Sequence, residues 1–492
     1  MNKKITTQIC ERSIGGEINA EISMPDYEPE IRRLLRVEVS LTPPAGSCDG
    51  ARVGMSGDAI FRVLYAGNDG ELYSTSAIES YELTEALKPS ERETDVTCSI
   101  CSVTPESIIS RASAPRRISI KCKLRGQGRY FGERGLGEDL GLDIGSVERL
   151  VRECEYAKIN APVFAEARLS DDFAIALQAG SSGDARIVSY SPSAVASGIE
   201  CSDGEATVRG ELTLDLLLSA DDGSSPFRAT RKIPFSETIV SDGIDRGCRC
   251  VAAISCPDCQ FTVDENRIFC EPTLVIRLDA ERNVTAEYTA DAYSTEALSE
   301  CDRLLLEFPI CERTFSGSIT SSIRQSIEEA GIDASAEIIH ASPSAVVKSI
   351  DKNGKKLCVV GEICFNILTK YEKDYLIKEL RHPFKYELDT GESPVSHADC
   401  RVIPLPAEAK IDNGRLCCDC ELHIFGIIHS GSSIDAVQKV TLGDPVEHEE
   451  VTTVCFPSPT DTVWDVSKRY RIPTSTIISQ ESELKSHKPI IF

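Results

Sequence analysis

Long apolar runs are missing from this chain of 492 residues. No stretch approaches the ~20 residues that a membrane helix needs, so no membrane insertion is expected. The start, M-N-K-K-I-T-T-Q-I-C-E-R, has no apolar core after its two lysines and does not read as a signal peptide. A cytoplasmic protein is the expectation. Basic residues are short as well: 53 Lys and Arg stand against 78 Asp and Glu, a net charge of −25. Phosphate contacts need clustered Lys and Arg, so no nucleic-acid partner is expected. The deficit suits a soluble chain or one that meets a basic surface.

Histidine is scarce too. The seven are His340, His382, His397, His423, His429, His448 and His487. None falls in H-E-x-x-H and none lies beside a G-x-S-x-G elbow. His423 and His429 lie at or just past a strand and read as core-edge or surface residues. The glycine-dense residues 125–145 contain G-x-G but lack the strand–G-x-G-x-x-G–helix frame. They read as a closing loop or linker. No catalytic residue, no cofactor and no enzyme activity are expected.

Cysteine is plentiful: 21, an odd number spread along the chain. Cys122, Cys270, Cys364 and Cys418 sit on expected strands, where a reduced thiol serves as a small buried hydrophobe. Cys248, Cys250, Cys256 and Cys259 are the weak candidates for zinc, which needs four converging ligands. The repeat described next opposes that reading, because Cys98 aligns with Cys250 and Cys101 then aligns with Ala253. No metal is expected.

What organises the chain is residues 208–219, V-R-G-E-L-T-L-D-L-L-L-S. Val208, Gly210, Leu212, Leu214, Leu216 and Leu218 share one side, and Leu217 is the apolar exception on the other. Period two marks a strand with one buried face. Asp221-Asp222-Gly223 reads as its hairpin turn. Residues 55–65 and 359–369 repeat the pattern. Gly57, Gly210 and Gly361 are 153 and 151 residues apart, and each precedes an acid, Asp58, Glu211 or Glu362. A polar residue follows (Arg62, Asp215, Asn366), then a leucine (Leu64, Leu217, Leu368). The acids recur with the repeat, so a structural role beside the glycine is expected.

S-P-S-A-V occurs at 191–195 and again at 342–346, and Cys98, Cys250 and Cys400 keep nearly the same step. A second strand recurs at 117–124, 267–274 and 415–422. A period this long matches a whole domain. The fold class expected is mainly β: three tandem sandwich- or barrel-like units over 1–145, 150–297 and 300–447, then a small α+β tail over 450–492. Pro272 suggests that its strand lies at an edge or carries a bulge. Ile319, Ile323 and Ile327 at spacing four predict an amphipathic helix over 316–330, with a weaker counterpart at 172–177. Residues 180–184 read as an exposed turn.

In the tail, Thr462 and Asp465 predict a helix cap. Val463, Val466, Ser467 and Tyr470 form one face of that helix. Pro473 opens a second helix with Ile477 and Ile478 inward, and P-I-I-F closes as a strand. The expected order is strand–helix–helix–strand.

D-T-V-W-D-V-S-K-R-Y, Asp461 to Tyr470, resembles the LysM signature. That resemblance implies a ligand groove between Thr460, Asp461, Thr462, Val463 and Trp464 on one side and the turn with Gln480 and Glu481 on the other. The usual ligand is an N-acetylglucosamine glycan. Here the usual Gly before Asp461 is Thr460, and the usual Asn after the second helix is replaced by Gln480 or Glu481. The repeated unit, with P-D-Y-E-P-E-I early and the Gly-acid strand, resembles the SPOCS repeat of endospore formers. Together the two imply a non-enzymatic mother-cell scaffold recruited to the forespore surface. Its tail would bind the coat-basement morphogenetic ATPase, alongside other coat proteins. A peptidoglycan-binding envelope protein is the alternative.

Overall fold

Alternating burial runs through nearly every strand of this computed structural model, which describes residues 4–136, 146–175, 185–220, 225–264, 267–353, 355–391, 395–446 and 452–492. The turns expected at 180–184 and 221–223 lie outside the described residues. The fold is mainly β, and every strand pairing is antiparallel. Among the described residues, no helix is long and apolar enough to cross a membrane.

The sheets come in pairs along the chain. In the first third, β1 (Lys4–Ser23), β7 (Arg117–Gly135) and β6 (Val96–Ala114) form one sheet. A second gathers β2 (Ile31–Leu41), β3 (Ala45–Cys48) and β5 (Leu72–Ala86) on β4 (Arg52–Gly67). In the middle third, β8 (Val147–Ile159), β9 (Val163–Arg168), β10 (Asp171–Ala174) and β14 (Arg249–Asp264) all pair with β15 (Arg267–Ser294). Its companion is β11 (Ala185–Ser202), β12 (Glu205–Ala220) and β13 (Phe227–Val240) in sequence. In the last third, β16 (Ala297–Ser326), β20 (His397–Pro404) and β21 (Glu408–Asp412) pair with β22 (Arg415–Pro445). Beside them lie β17 (Glu337–Asn353), β18 (Lys356–Tyr371) and β19 (Asp374–Asp389).

Each pair shares one apolar cluster. Ile14, Ile118 and Leu124 meet Val53, Met55 and Leu83 in the first. Val208, Leu212 and Phe235 meet Ile268, Leu274 and Ile276 in the second. Ile363, Phe365 and Phe384 meet Leu416 and Leu422 in the third. The aligned glycine of each inner sheet has an aromatic opposite: Gly57 faces Tyr81, Gly210 faces Phe235 and Gly361 faces Phe384. A Cβ on Gly210 would come within 2.4 Å of the Phe235 ring and 2.3 Å of the Val195 carbonyl oxygen. The ring lies where a side chain would stand, so only glycine fits.

β12 is buried on more than the one face its alternation predicts. Thr213, Asp215, Leu217 and Ser219 are buried as well. They face a junction where the three inner sheets meet. There Leu64, Leu217 and Leu368 join Leu72, Val188, Ile339 and Tyr375 in a single cluster, with Leu35 against it. The pairing of the first strand in each inner sheet skips one residue at that height, between Leu34 and Arg36, Ile187 and Ser189, and Ile338 and His340. The skipped residues are Leu35, Val188 and Ile339. A bulge turns a side chain away from its strand's normal alternation, and here it turns all three into the shared cluster.

Several local expectations are corrected. Residues 316–326 continue strand β16, paired with β22 to the end. A spacing of four fits a strand face as well as a helix face, and Ile319, Ile323 and Ile327 all reach the third cluster. Residues 171–174 are likewise strand, and 176–177 lie outside the described residues. The glycine-dense stretch is strand β7 as far as Gly135, where a Cβ on Gly126 would collide with Met55 Sδ at 2.3 Å. Residues 137–145 lie outside the described set. Pro272 is on a central strand, not an edge, and the bulge alternative fits better: the β14–β15 ladder shifts register between Ser255 and Asp258, immediately beyond it. Pro272 falls where β15 passes from β10 to β9, at the break between those two partners.

The tail runs β23 (Val454–Cys455), α1 (Val463–Tyr470), α2 (Thr474–Ile478), α3 (Glu481–Lys485) and β24 (Ile490–Ile491). The short third helix departs from the expected order. Ile477 is buried, but Ile478 points outward, 56% exposed.

Gly210→Ala should lower stability by about 1–3 kcal/mol, the usual cost of overpacking. Gly198→Ala, with nothing within 4 Å of its Cβ, should change little. Leu217→Ala should cost about 2–5 kcal/mol. Urea unfolding followed by circular dichroism checks all three.

Candidate functional site

Two places gather polar chemistry: the junctions between sheet pairs, and the seat of the tail. At the inner junction Glu38 accepts hydrogen bonds from Ser191 Oγ (3.2 Å) and from Ser342 Oγ. These three positions are 153 and 151 residues apart, and each serine opens an S-P-S-A-V. Arg36 lies 3.4 Å from the Glu38 carboxylate. Burial opposes charge on Glu38, but Arg36 and Ser342 hold its carboxyl below the ordinary value. Asp215, nearly fully buried, receives His340 Nε2 at 3.0 Å and Arg228 Nε at 2.5 Å. Burial again opposes ionisation, and His340 and then Arg228 outweigh it and lower the pKa. Arg62 donates to Ser40 Oγ and to the carbonyls of Cys256 and Pro257, and it stacks on the Tyr190 ring. Arg36, Glu38, Arg62, Ser189 and Tyr190 border a cleft of about 100 Å³.

The outer sheets meet at a second junction. Ile5, Tyr156 and Phe308 share one cluster there with Leu136, Ala286 and Ile434. Its charged side takes one sheet pair's residue against another's. Arg129 from the first third bonds Asp399 of the last. His429 of the last third sits 2.8 Å from Glu281 of the middle. Arg129 Nη2 approaches His429 Nδ1 at 3.4 Å. The Arg129 guanidinium and the Glu281 carboxylate thus face the two ring nitrogens from different thirds of the chain, with Asp399 4.0 Å from Nδ1. His429 is fully buried rather than at the core edge or surface. His423 is half-buried beside Ser316, and burial lowers its pKa. Arg277, fully buried, donates to the carbonyls of Pro44, Ser99 and Cys101 and pairs with Asp279. The repeated acids bond locally instead: Ser80 donates to Asp58, Lys232 to Glu211 and Lys348 to Glu362.

The tail builds its own small core from Cys455, Val466, Ile477, Leu484 and Ile490. Thr462 caps α1, with Asp465 answering at its third position. Trp464 is not in that core. It is 9% exposed and turned onto the body, where its ring stands edge-on to Tyr293 with centroids 4.9 Å apart. Trp464 Nε1 donates to Asp291 Oδ2 at 2.9 Å. Lys468 and Arg303 also reach Asp291. Burial works against charge on Asp291, and Lys468 and Trp464 pull its pKa down. Tyr293 Oη donates to the Ile472 carbonyl, Arg471 to Ala297 and Thr474 to Glu148.

The other tail residues singled out by the LysM resemblance fall into place separately. Asp461 pairs with Arg469 and accepts the Ser458 N–H. Val463 packs against the tail core. Thr460 and Thr462 are exposed. The Gln480 amide bonds both the N–H and the carbonyl of Ile491, tying the turn between α2 and α3 to the closing strand. Glu481 pairs with Lys485.

Cys248, Cys250, Cys256 and Cys259 do not assemble. Cys256 donates to the Asp258 carbonyl, and Cys259 contacts Cys270 on the neighbouring strand. Cys248 turns into its own loop toward Gly243 and Asp245. Cys250 faces Cys201. Among the described residues no group of three or more His, Cys, Asp or Glu side chains is placed to hold a metal ion.

Arg62, Asp215, Leu64, Leu217, Leu368 and the two S-P-S-A-V serines were marked by the repeat step, but Glu38, Arg36, Arg129, Glu281 and Asp399 were not, and no junction was expected from any of them. The signal for Glu38 is the repeat step itself, applied to the strand before the glycine strand. No protein-family model, curated protein or solved structure matches the chain.

Asp215, Glu38 and Asp399 all have lowered pKa values in the folded state. Their contribution is present above the unfolded carboxylate value, about 4, and is lost as pH falls through the folded value. The unfolding temperature should therefore drop as pH goes from 5 to 3. Asp215→Asn should flatten that drop while lowering stability at pH 7. Differential scanning calorimetry across the range checks both.

Proposed function

We propose that this chain is a non-enzymatic scaffold of endospore coat assembly. In layout it is similar to the clostridial coat-morphogenesis protein SipL. On this reading its three sheet pairs are SPOCS-like units, near 1–145, 150–297 and 300–447. Residues 450–492 are a LysM-like protein-binding domain. The chain works in the mother cell at the forespore surface, and its tail engages the coat-basement morphogenetic ATPase.

One observation carries most of the weight. Two sets of positions that recur at 153 and 151 residues, Leu64, Leu217 and Leu368, and Glu38, Ser191 and Ser342, meet one another at the inner junction. Repetition spent on mutual packing suits a rigid body that presents a binding element. The tail supports a protein ligand over a sugar. The Gln480 amide, at the place where LysM domains commonly hold a glycan, is already used on Ile491. Thr460 and Thr462 stand clear on the outer side.

The test is capture of the ATPase from sporulating cells by the full chain. Thr460→Arg, at an exposed site, should reduce capture tenfold or more with unchanged circular dichroism. Asp461→Ala should do the same by loosening the loop that Arg469 holds. Full capture by both variants would end the tail-binding reading. Retention of the chain on purified peptidoglycan would favour an envelope glycan binder instead.

A further inference from the structure

Cys201 and Cys250 stand out among the thiols. Cys201 is near the end of β11 and Cys250 near the start of β14, in the two facing sheets of the middle third. Their sulfurs are 3.3 Å apart across 49 residues of chain. Both are half-buried at the rim of the shared cluster. A disulfide needs a sulfur separation of about 2.05 Å, so closing the pair asks for a movement of only about 1 Å. A second contact, Cys259 with Cys270, lies inside the core with both thiols buried, out of reach of a dissolved oxidant. At the corresponding places the last third has Lys352 and Cys400, and the first third has Cys48 and Cys98, of which Cys48 is exposed and Cys98 buried.

We propose that Cys201 and Cys250 form an oxidation site, closing to a disulfide under peroxide and stapling β11 to β14. Burial, and then its hydrogen bond to Cys201, push the Cys250 thiol up, which suits Cys250 to the resolving role rather than the attacking one. The Cys201 thiolate attacks one peroxide oxygen. The O–O bond breaks, Cys201 becomes a sulfenic acid, and the other oxygen leaves as water once protonated. The Cys250 sulfur then attacks the sulfenic sulfur. The S–S bond forms, the S–O bond breaks, and hydroxide leaves with the Cys250 proton as a second water. Two thiols are oxidised by two electrons and one peroxide is reduced to two waters. Thiol reductants reverse the bond by exchange. The site does not depend on the scaffold reading.

The experiment uses the full chain, reduced and then treated with stoichiometric hydrogen peroxide. Remaining thiols are alkylated and the protein is digested without reductant. The expected product joins the Cys201 and Cys250 peptides, is about 2 Da lighter than the two free thiol peptides combined, and disappears with dithiothreitol. Cys250→Ser should leave a sulfenic acid on Cys201 that dimedone traps, and Cys201→Ala should abolish the cross-link without altering circular dichroism. The oxidised protein should also melt several degrees higher, because the cross-link restricts the unfolded chain. Alkylation of both residues after peroxide has oxidised other thiols would overturn the proposal. So would a Cys201–Cys248 bond as the main product.

Discussion

Each inner sheet has more apolar surface than its own sandwich can cover, and everything else in the body follows from where that excess goes. Leu64, Leu217 and Leu368 stand on the side of their strands that alternation assigns to solvent. They are shielded only because three such strands meet. The bulges at Leu35, Val188 and Ile339 complete the contact by turning one further apolar side chain inward from each neighbouring strand. A strand without its bulge would point that residue elsewhere, since side-chain direction alternates strictly along an unbroken ladder. The sheet pairs are thereby bound to one another by the same few positions that recur in each.

The polar groups beside these contacts work differently. Burying an ion pair is close to neutral for stability, because desolvation offsets most of the attraction. Its value lies in discriminating between partners. Glu38, Ser191 and Ser342 occupy corresponding positions but are not alike, and that difference is what lets one carboxylate take two hydroxyl donors. Three carboxylates at those positions would repel one another. Asp215 with His340, and Glu281 with His429, likewise join unlike residues from different thirds of the chain. Unlike residues brought together from different thirds fix which sheet pair meets which.

Period two was legible along β4, β12 and β18, and so were the starts of the long strands β7, β15 and β22. The capped helix of the tail could be read from Thr462 and Asp465, because capping is a local matter of a few backbone N–H groups. What could not be read were choices made by distant chain. Spacing of four at Ile319, Ile323 and Ile327 satisfies helix and strand alike, and only pairing with β22 decides it. The glycines after residue 125 looked like a loop because the sequence does not say that Met55 needs their space. Trp464 could be expected to bind another protein or to fill the tail's core. It lies outside that core, against Asp291 and Tyr293, more than 170 residues away in sequence.

That placement has an optical consequence. Trp464 is the only tryptophan in the chain, so nearly all indole emission arises at the seam between tail and body. Its ring touches a tyrosine and its N–H points at a carboxylate. Detachment of the tail would expose the ring to water and shift its spectrum. The chain thus carries its own fluorescent gauge of whether the tail is seated.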